Sequence, residues 1–288
     1  MGTLKILVPT DFSDLSSQAF ESAEFLRKEY GGEITPLYIF PQVRGLDGIS
    51  ISSGVSAFND EVRAKIKKQL VELASRYTLE AHIKEPVVLV GEPSVLIADE
   101  AKNFDMVVMA THGRTGFNKA ILGSVANKVL RTSPVPVLAV RKDKPLKKVK
   151  KVLIPVDLSA HSEKVFEFAD HLLKQTGASA HLVNVISLDE GFSMSEARDL
   201  AKRRENEIAG LRSKFLPNHL ENTKIETLIS NHSVPEALVR IVDSRSYDLI
   251  VMPTLGHTGL KYLLMGSTAA RVVEMAPLSV LIIPPEKS

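Results

Sequence analysis

Lys5-Ile6-Leu7-Val8-Pro9-Thr10-Asp11-Phe12-Ser13 is the stretch on which the fold turns. Lys5 to Pro9 is apolar without alternation after the lysine, which suits a strand covered on both faces, as in a parallel sheet. Beyond Ser13, Leu15, Ala19, Ala23 and Leu26 recur at helical spacing. A buried strand therefore runs straight into an amphipathic helix. The stretch returns as Lys151-Val152-Leu153-Ile154-Pro155-Val156-Asp157-Leu158-Ser159. Asp105-Met106-Val107-Val108-Met109 returns as Asp248-Leu249-Ile250-Val251-Met252. Gly113, nine residues and Gly123-Ser124 return as Gly256, nine residues and Gly266-Ser267. Pro134-Val135-Pro136-Val137-Leu138 returns as Pro277-Leu278-Ser279-Val280-Leu281. The offset is 146 at the first motif and 143 at the later ones, so the copies differ by a net three residues between them. Four motifs in one order at nearly one offset mark an internal duplication, and 288 residues suit two domains. The expected domains are 1–144 and 145–288, joined through Arg141–Lys148, a basic, Pro-containing linker expected to be solvated.

Each copy alternates strand and helix. In the first, the expected strands are Lys5–Pro9, Ile34–Phe40, His82–Val90, Asp105–Met109 and Val135–Val140. Val62, Ile66, Leu70 and Leu73 mark a second helix; Pro93 opens a third at its first turn, where a missing N–H costs little. Ser124–Arg131 is a fourth. The second copy repeats the order, with Val165, Phe168, Ala169 and Leu172 as the face of its first helix and Pro235 opening its third. The spacing of Ala197, Ala201, Ile208, Leu211 and Phe215 reads as a core-packing helix face. Right-handed crossovers turn such an order into a doubly wound α/β sheet. Ligands bind such sheets beyond the carboxyl ends of the strands, at a topological switch point. If the first and fourth strands are neighbours, Asp11 and the Gly-rich loop face one crevice.

Composition narrows the function. The apolar fraction is 44% and the formal net charge +2, so a core is assured and no concentrated basic face argues for nucleic acid. Cysteine is absent, which removes disulfides, thiolate metal sites and thiol redox chemistry. No apolar run reaches membrane-span length and the N-terminus runs straight into a strand, so a soluble cytoplasmic protein is expected.

The chemistry concentrates in Ala110-Thr111-His112-Gly113-Arg114-Thr115-Gly116, continuing to Leu122-Gly123-Ser124-Val125. Glycines let a ligand approach the backbone, and Gly123-Ser124 opens a helix whose unpaired amides and dipole suit phosphate. Ser124 adds a hydroxyl and Arg114 a cation. The plain alternative is that Gly113 and Gly116 shape a turn and Ser124 caps its helix. Neither a Gly-x4-Gly-Lys-Ser/Thr loop nor Gly-x-Gly-x-x-Gly after the first strand is present. Asp11 and Asp157 carry two readings as well: N-terminal caps, or, if Ser13 and Ser159 cap instead, acceptors for a ribose hydroxyl or an adenine amino group. His112 and His257 sit in the loops, but no partner stands at metal-ligand spacing. No metal site held by protein and no catalytic residue is assigned. The loop Val43–Phe58 is read equally as a lid or as inert surface.

Pro9-x-Asp11-x-Ser13, the Asp105–Gly113 stretch and Gly123-Ser124 resemble a universal stress protein domain, and with the second copy the chain resembles a tandem universal stress protein. That resemblance implies a five-stranded parallel sheet in each Rossmann-like domain. It also implies a pseudo-dimer, with Val135–Val140 and Ser279–Ile283 pairing antiparallel. In one branch of the family it implies ATP or AMP binding through Gly-x2-Gly-x9-Gly-Ser/Thr, with magnesium, if any, held mainly by the phosphates. Here Gly113, Gly123 and Ser124 match, and Ala110 replaces the first glycine. In the second copy Gly256, Gly266 and Ser267 match, and Pro253 replaces it, losing a donor and fixing φ. By the same resemblance Asp11 and Asp157 contact the nucleoside, and the backbone at Ile39 and Val185 meets the adenine edge. The full candidate set adds Pro9, Val125, Pro155, Gly259 and Thr268. The function implied is a nucleotide-binding regulatory protein of the stress response with little or no catalysis; a nucleotide-free scaffold and a slow ATPase are the alternatives. The expected partners are an adenine nucleotide and a protein the sequence does not identify, with neither nucleic acid nor membrane. A homodimer of the tandem chain is left open.

Overall fold

The computed structural model describes residues 3–41, 59–111, 122–141, 144–159, 162–188, 193–254 and 265–285. The chain divides between Lys147 and Lys148 into two units.

In the first unit, β1 (Leu4–Pro9) is followed by α1 (Asp14–Tyr30), β2 (Gly32–Pro41), α2 (Asp60–Ala74), β3 (Val87–Gly91), α3 (Pro93–Glu100), β4 (Met106–Ala110), α4 (Ser124–Thr132) and β5 (Val137–Val140). The strands are parallel in the order β3-β2-β1-β4-β5. Ile6, Leu7 and Val8 at the centre are wholly buried, which is why the first motif is apolar without alternation. α1 lays Ala19, Phe20, Ala23 and Leu26 on the sheet. Burying Phe20 contributes about 1.5–3 kcal/mol relative to leaving it in water. Gly31 ends α1 at φ +69°, the left-handed position that glycine fills without steric cost.

The second unit repeats this with β6 (Lys151–Pro155), α5 (Ser162–Thr176), β7 (Ser179–Ser187), α6 (Met194–Phe215), β8 (Thr223–Ser230), α7 (Val234–Arg245), β9 (Leu249–Pro253), α8 (Ser267–Met275) and β10 (Val280–Ile283). Its strands are parallel in the order β8-β7-β6-β9-β10. The aspartate that opens each fourth-strand motif is a clamp. Asp105 Oδ2 accepts the Lys5 amide at 2.7 Å, and Asp248 Oδ2 accepts those of Lys150 and Lys151 at 2.8 and 3.0 Å.

Four expectations shift. The third strand starts at Val87, not His82: Glu80–His82 forms a 3₁₀ turn and Ile83 makes one isolated bridge to Ile34. Pro86, lacking an amide, cannot join a ladder before Val87. The fifth strand begins at Val137 rather than Val135, because Ser133 Oγ bonds both the amide and the carbonyl of Val135 in a local turn. On α5 it is Phe166, not Phe168, that is fully buried, stacked on Phe215 with ring centroids 5.8 Å apart. The basic linker is anchored rather than simply solvated: Leu146 is buried, its amide donates to Ser22 Oγ at 2.9 Å, and Lys147 pairs with Glu21. Among the described residues no helix is long and apolar enough to cross a membrane.

Candidate functional site

β1 and β4 are neighbours, with Ile6 opposite Met106 and Leu7 opposite Val107. Their carboxyl ends open onto a cleft of about 230 Å³ that brings together Pro9, Asp11, Ile39, Ala110, Gly123, Ser124 and Val125. His112, Gly113, Arg114 and Gly116 lie outside the described residues, as do Gly256, His257, Gly259 and the Val43–Phe58 loop.

The turn after β1 settles what Asp11 does locally. Ser13 is the N-cap of α1, accepting the Ser16 amide on its hydroxyl at 3.2 Å. Asp11 is not the cap: its Oδ1 accepts the Ser13 amide at 3.0 Å and the Ser13 hydroxyl at 2.6 Å. This Asx turn fixes the carboxylate at the cleft wall. Phe12, between them, sits at φ +62° and donates its amide to Thr10 Oγ1 at 3.0 Å.

The opposite wall is the start of α4. Gly123 is its N-cap and supplies no side chain, while its own amide donates to the Thr111 carbonyl at 2.9 Å. Ser124 is the first helical residue and so does not cap the helix. The first intrahelical bond runs from the Asn127 amide to the Gly123 carbonyl at 2.9 Å. The amides of Ser124, Val125 and Ala126 are thereby left for whatever enters the cleft, at the positive end of the helix dipole.

Between these walls lies a strip of backbone. The Thr10 amide donates to Leu37 O at 2.9 Å, so Leu37 turns its polar groups toward β1. Main-chain groups alternate sides along a strand, so Ile39 turns its N–H and C=O the same way, where β1 has already ended. Ile97, Pro93 and Met109 add apolar surface.

The second unit forms a counterpart of about 380 Å³ lined by Pro155, Asp157, Val185, Pro253, Gly266, Ser267 and Thr268. Asp157 Oδ1 accepts from the Ser159 amide and hydroxyl at 3.0 and 2.7 Å and from Ser162 Oγ at 3.2 Å. Gly266 caps α8 as Gly123 caps α4, its amide on Thr254 O at 2.7 Å. Pro253 is tolerated because it lies beyond the last β9 residue paired with β6, Ile250 opposite Leu153. No ladder bond is lost there, only a donor on the cleft side.

Arg204 and Asn184 of the second cleft escaped the sequence reading. Arg204 of α6 reaches into the second cleft, donating through Nη1 to Asn184 Oδ1 at 2.8 Å and to Val185 O at 3.5 Å. Asn184, buried, donates to Val156 O at 2.7 Å. Arg204 reads in sequence as one more polar position on a packing helix, and nothing in its spacing points to a cleft. No group of three or more metal-ligating side chains occurs among the described residues.

Two doubly wound α/β units, each with a glycine-capped helix N-terminus facing an aspartate across the switch point, define a class of α/β domain. Comparison with known proteins narrows it: the universal stress protein family matches residues 3–141 and 148–284, and the chain belongs to that family. Universal stress protein Slr1230 of Synechocystis is 25% identical over 96% of this chain and 98% of its own length. Universal stress protein MJ0531 of Methanocaldococcus jannaschii is 33% identical over 49% of this chain and 83% of its own. The crystal structure of a universal stress protein from Archaeoglobus fulgidus shares the fold with a TM-score of 0.69, at 24% identity, over 98% of this chain and 97% of that one.

Proposed function

We infer that the chain is a nucleotide-binding regulatory protein of the stress response, formed of two domains at 1–144 and 145–288, whose first cleft takes ATP or AMP. One observation carries this reading: the amides of Ser124–Ala126, the Asp11 carboxylate and the Ile39 backbone edge line a single cleft. Phosphate meets the helix N-terminus, the ribose hydroxyls meet Asp11, and the 6-amino group and N1 of adenine meet the Ile39 carbonyl and amide. Magnesium, where it accompanies ATP, is held by the phosphates.

The same geometry argues for binding rather than turnover. Asp11 Oδ1 is engaged by both donors of Ser13, which orients it as an acceptor and makes it a poor proton shuttle. Calorimetric titration of the purified chain with ATP and AMP tests the reading, alongside a search for adenine absorbance in the supernatant of the heat-denatured protein. Saturable heat or released nucleotide is the expected result; neither would leave a nucleotide-free scaffold.

A further inference from the structure

The two clefts differ at the base end in the sign of their hydrogen-bonding groups. In the first, the edge is the Ile39 N–H and C=O, and no Lys or Arg lines the cleft among the described residues. In the second, the Val156 amide donates to Val183 O at 2.8 Å, so Val185 turns its N–H and C=O into the crevice beyond the end of β6, as Ile39 does beyond β1. There, however, the Val185 carbonyl is met by Arg204 Nη1. The guanidinium is held in place by Asn184, which is itself pinned to Val156 O. A cationic donor stands 3.5 Å from that acceptor, where the first cleft has none among the described residues. The remaining N–H groups of Arg204, on Nε and Nη2, make no hydrogen bond to the described residues. The cleft is also the larger of the two, about 380 against 230 Å³, so Arg204 lines it without filling it.

We propose that the second cleft selects a purine with an oxygen at position 6, the guanine or hypoxanthine class, and rejects adenine, with Arg204 as the specificity-determining residue. This deepens the nucleotide reading given above and rests on it. Guanine and hypoxanthine present O6 and N7 as adjacent acceptors, which a guanidinium meets with two parallel N–H donors. Adenine presents its 6-amino donor to the same cation and would have to share the Val185 carbonyl with it. Arg204 is half-buried, and a donor facing its donors forfeits the hydrogen bonds that O6 and N7 would accept, so the site favours the 6-oxo purine. At the other end, Gly266 exposes the amides of Ser267, Thr268 and Ala269 to the phosphate. The loss of one backbone donor at Pro253 lowers affinity for the phosphates but leaves base selection to Arg204.

The test uses the full chain carrying Gly123→Asp, which silences the first cleft, titrated by calorimetry with GMP, IMP and AMP. GMP and IMP are expected to bind at least tenfold more tightly than AMP. Adding Arg204→Met, which keeps the length of the side chain and removes its donors, should weaken GMP at least tenfold and bring the three ligands close to parity. AMP binding equal to or tighter than GMP overturns the proposal, as does the absence of any purine nucleotide from this cleft. AMP titrated into the unaltered chain separates the two failures. If the first cleft still binds AMP, the nucleotide reading stands and only the second-cleft proposal falls; if it does not, both fall. Should Arg204→Met prevent folding, the GMP-to-AMP ratio of the chain with Arg204 in place decides alone.

Discussion

Phe12 and Leu158 hold the same left-handed backbone conformation, φ +62° and +63°, each one residue after the aspartate of its cleft. Residues with a Cβ pay about 1–2 kcal/mol to sit there. The strain recurs because each turn must bring its aspartate back onto the serine two residues on, and the chain reverses tightly enough to do so only through this region. Leu158 is half-buried and makes a clean test. Leu158→Gly should leave stability unchanged or raise it by up to about 1 kcal/mol, strain relief offsetting lost contacts. Leu158→Val, β-branched at the same φ, should cost about 1–2 kcal/mol. Urea midpoints of the two variants check this; equal losses would show that side-chain contacts, not backbone strain, dominate the position.

Gly123 separates stability from binding. Its φ of −59° and ψ of 144° suit any residue, so a side chain there introduces no backbone strain. Asp is a favoured N-cap and would accept the amides at the start of α4, so Gly123→Asp should be neutral or stabilising by a few tenths of a kcal/mol. The same carboxylate occupies the donors that phosphate needs and repels it. Nucleotide affinity at the first cleft should fall at least tenfold while the melting temperature holds. A parallel loss of both would mean that the cleft was damaged rather than occupied.

Asp11→Asn distinguishes charge from architecture. The amide oxygen of Asn can still accept from the Ser13 amide and hydroxyl, so the turn should survive with a stability change under about 1 kcal/mol. Its interaction with ribose hydroxyls weakens once the charge-assisted character is gone, and AMP affinity should drop about three- to tenfold. Asp11→Ala removes the turn as well and should lower both affinity and stability. Calorimetry and thermal melts on the pair of variants read the two contributions apart.

The duplication and the parallel sheet were readable because each rests on local pattern, apolar runs without alternation and helical spacing; the apposition of Asp11 with Gly123 hung on β1 and β4 being neighbours, which no local pattern gives. Whether Asp11 or Ser13 caps α1 was not readable, since both residue types satisfy the same cap signal and only the positive φ at Phe12 decides between them. The onset of β3 was missed because the expected strand ran through Pro86, whose missing amide bars it from a ladder. Arg204 was invisible for a different reason. It reaches the cleft from α6, far along the chain from either motif, and a long side chain on a polar helix face carries no mark of its destination.

His181 gives the second unit a pH dependence that is independent of its cleft. It is buried on β7, with Nδ1 against the Tyr247 hydroxyl and Nε2 3.3 Å from Glu226. Burial lowers its pKa to about 4, outweighing the attraction of Glu226; the nearby cations Lys224, Arg245 and Lys151 push the same way as burial. The ring is therefore neutral in the folded protein at pH 6, and the contact with Glu226 is not an ion pair there. As pH falls below 6.5, the unfolded chain takes up a proton at this residue that the folded chain refuses until about pH 4. Stability is thus complete above pH 6.5 and is lost toward pH 4, at up to about 1.4 kcal/mol per pH unit. Glu226 acts in a lower window: its hydrogen bonds with Arg245 bring its pKa to about 2, so its contribution is present above pH 4.5 and fades toward pH 2. His181→Gln keeps a polar group beside Tyr247 and cannot titrate. Urea unfolding at pH 7.0, 6.0 and 5.0 should show the loss of stability between pH 6.5 and 5.0 flattening in this variant. An unchanged slope would place the acid sensitivity elsewhere in the chain.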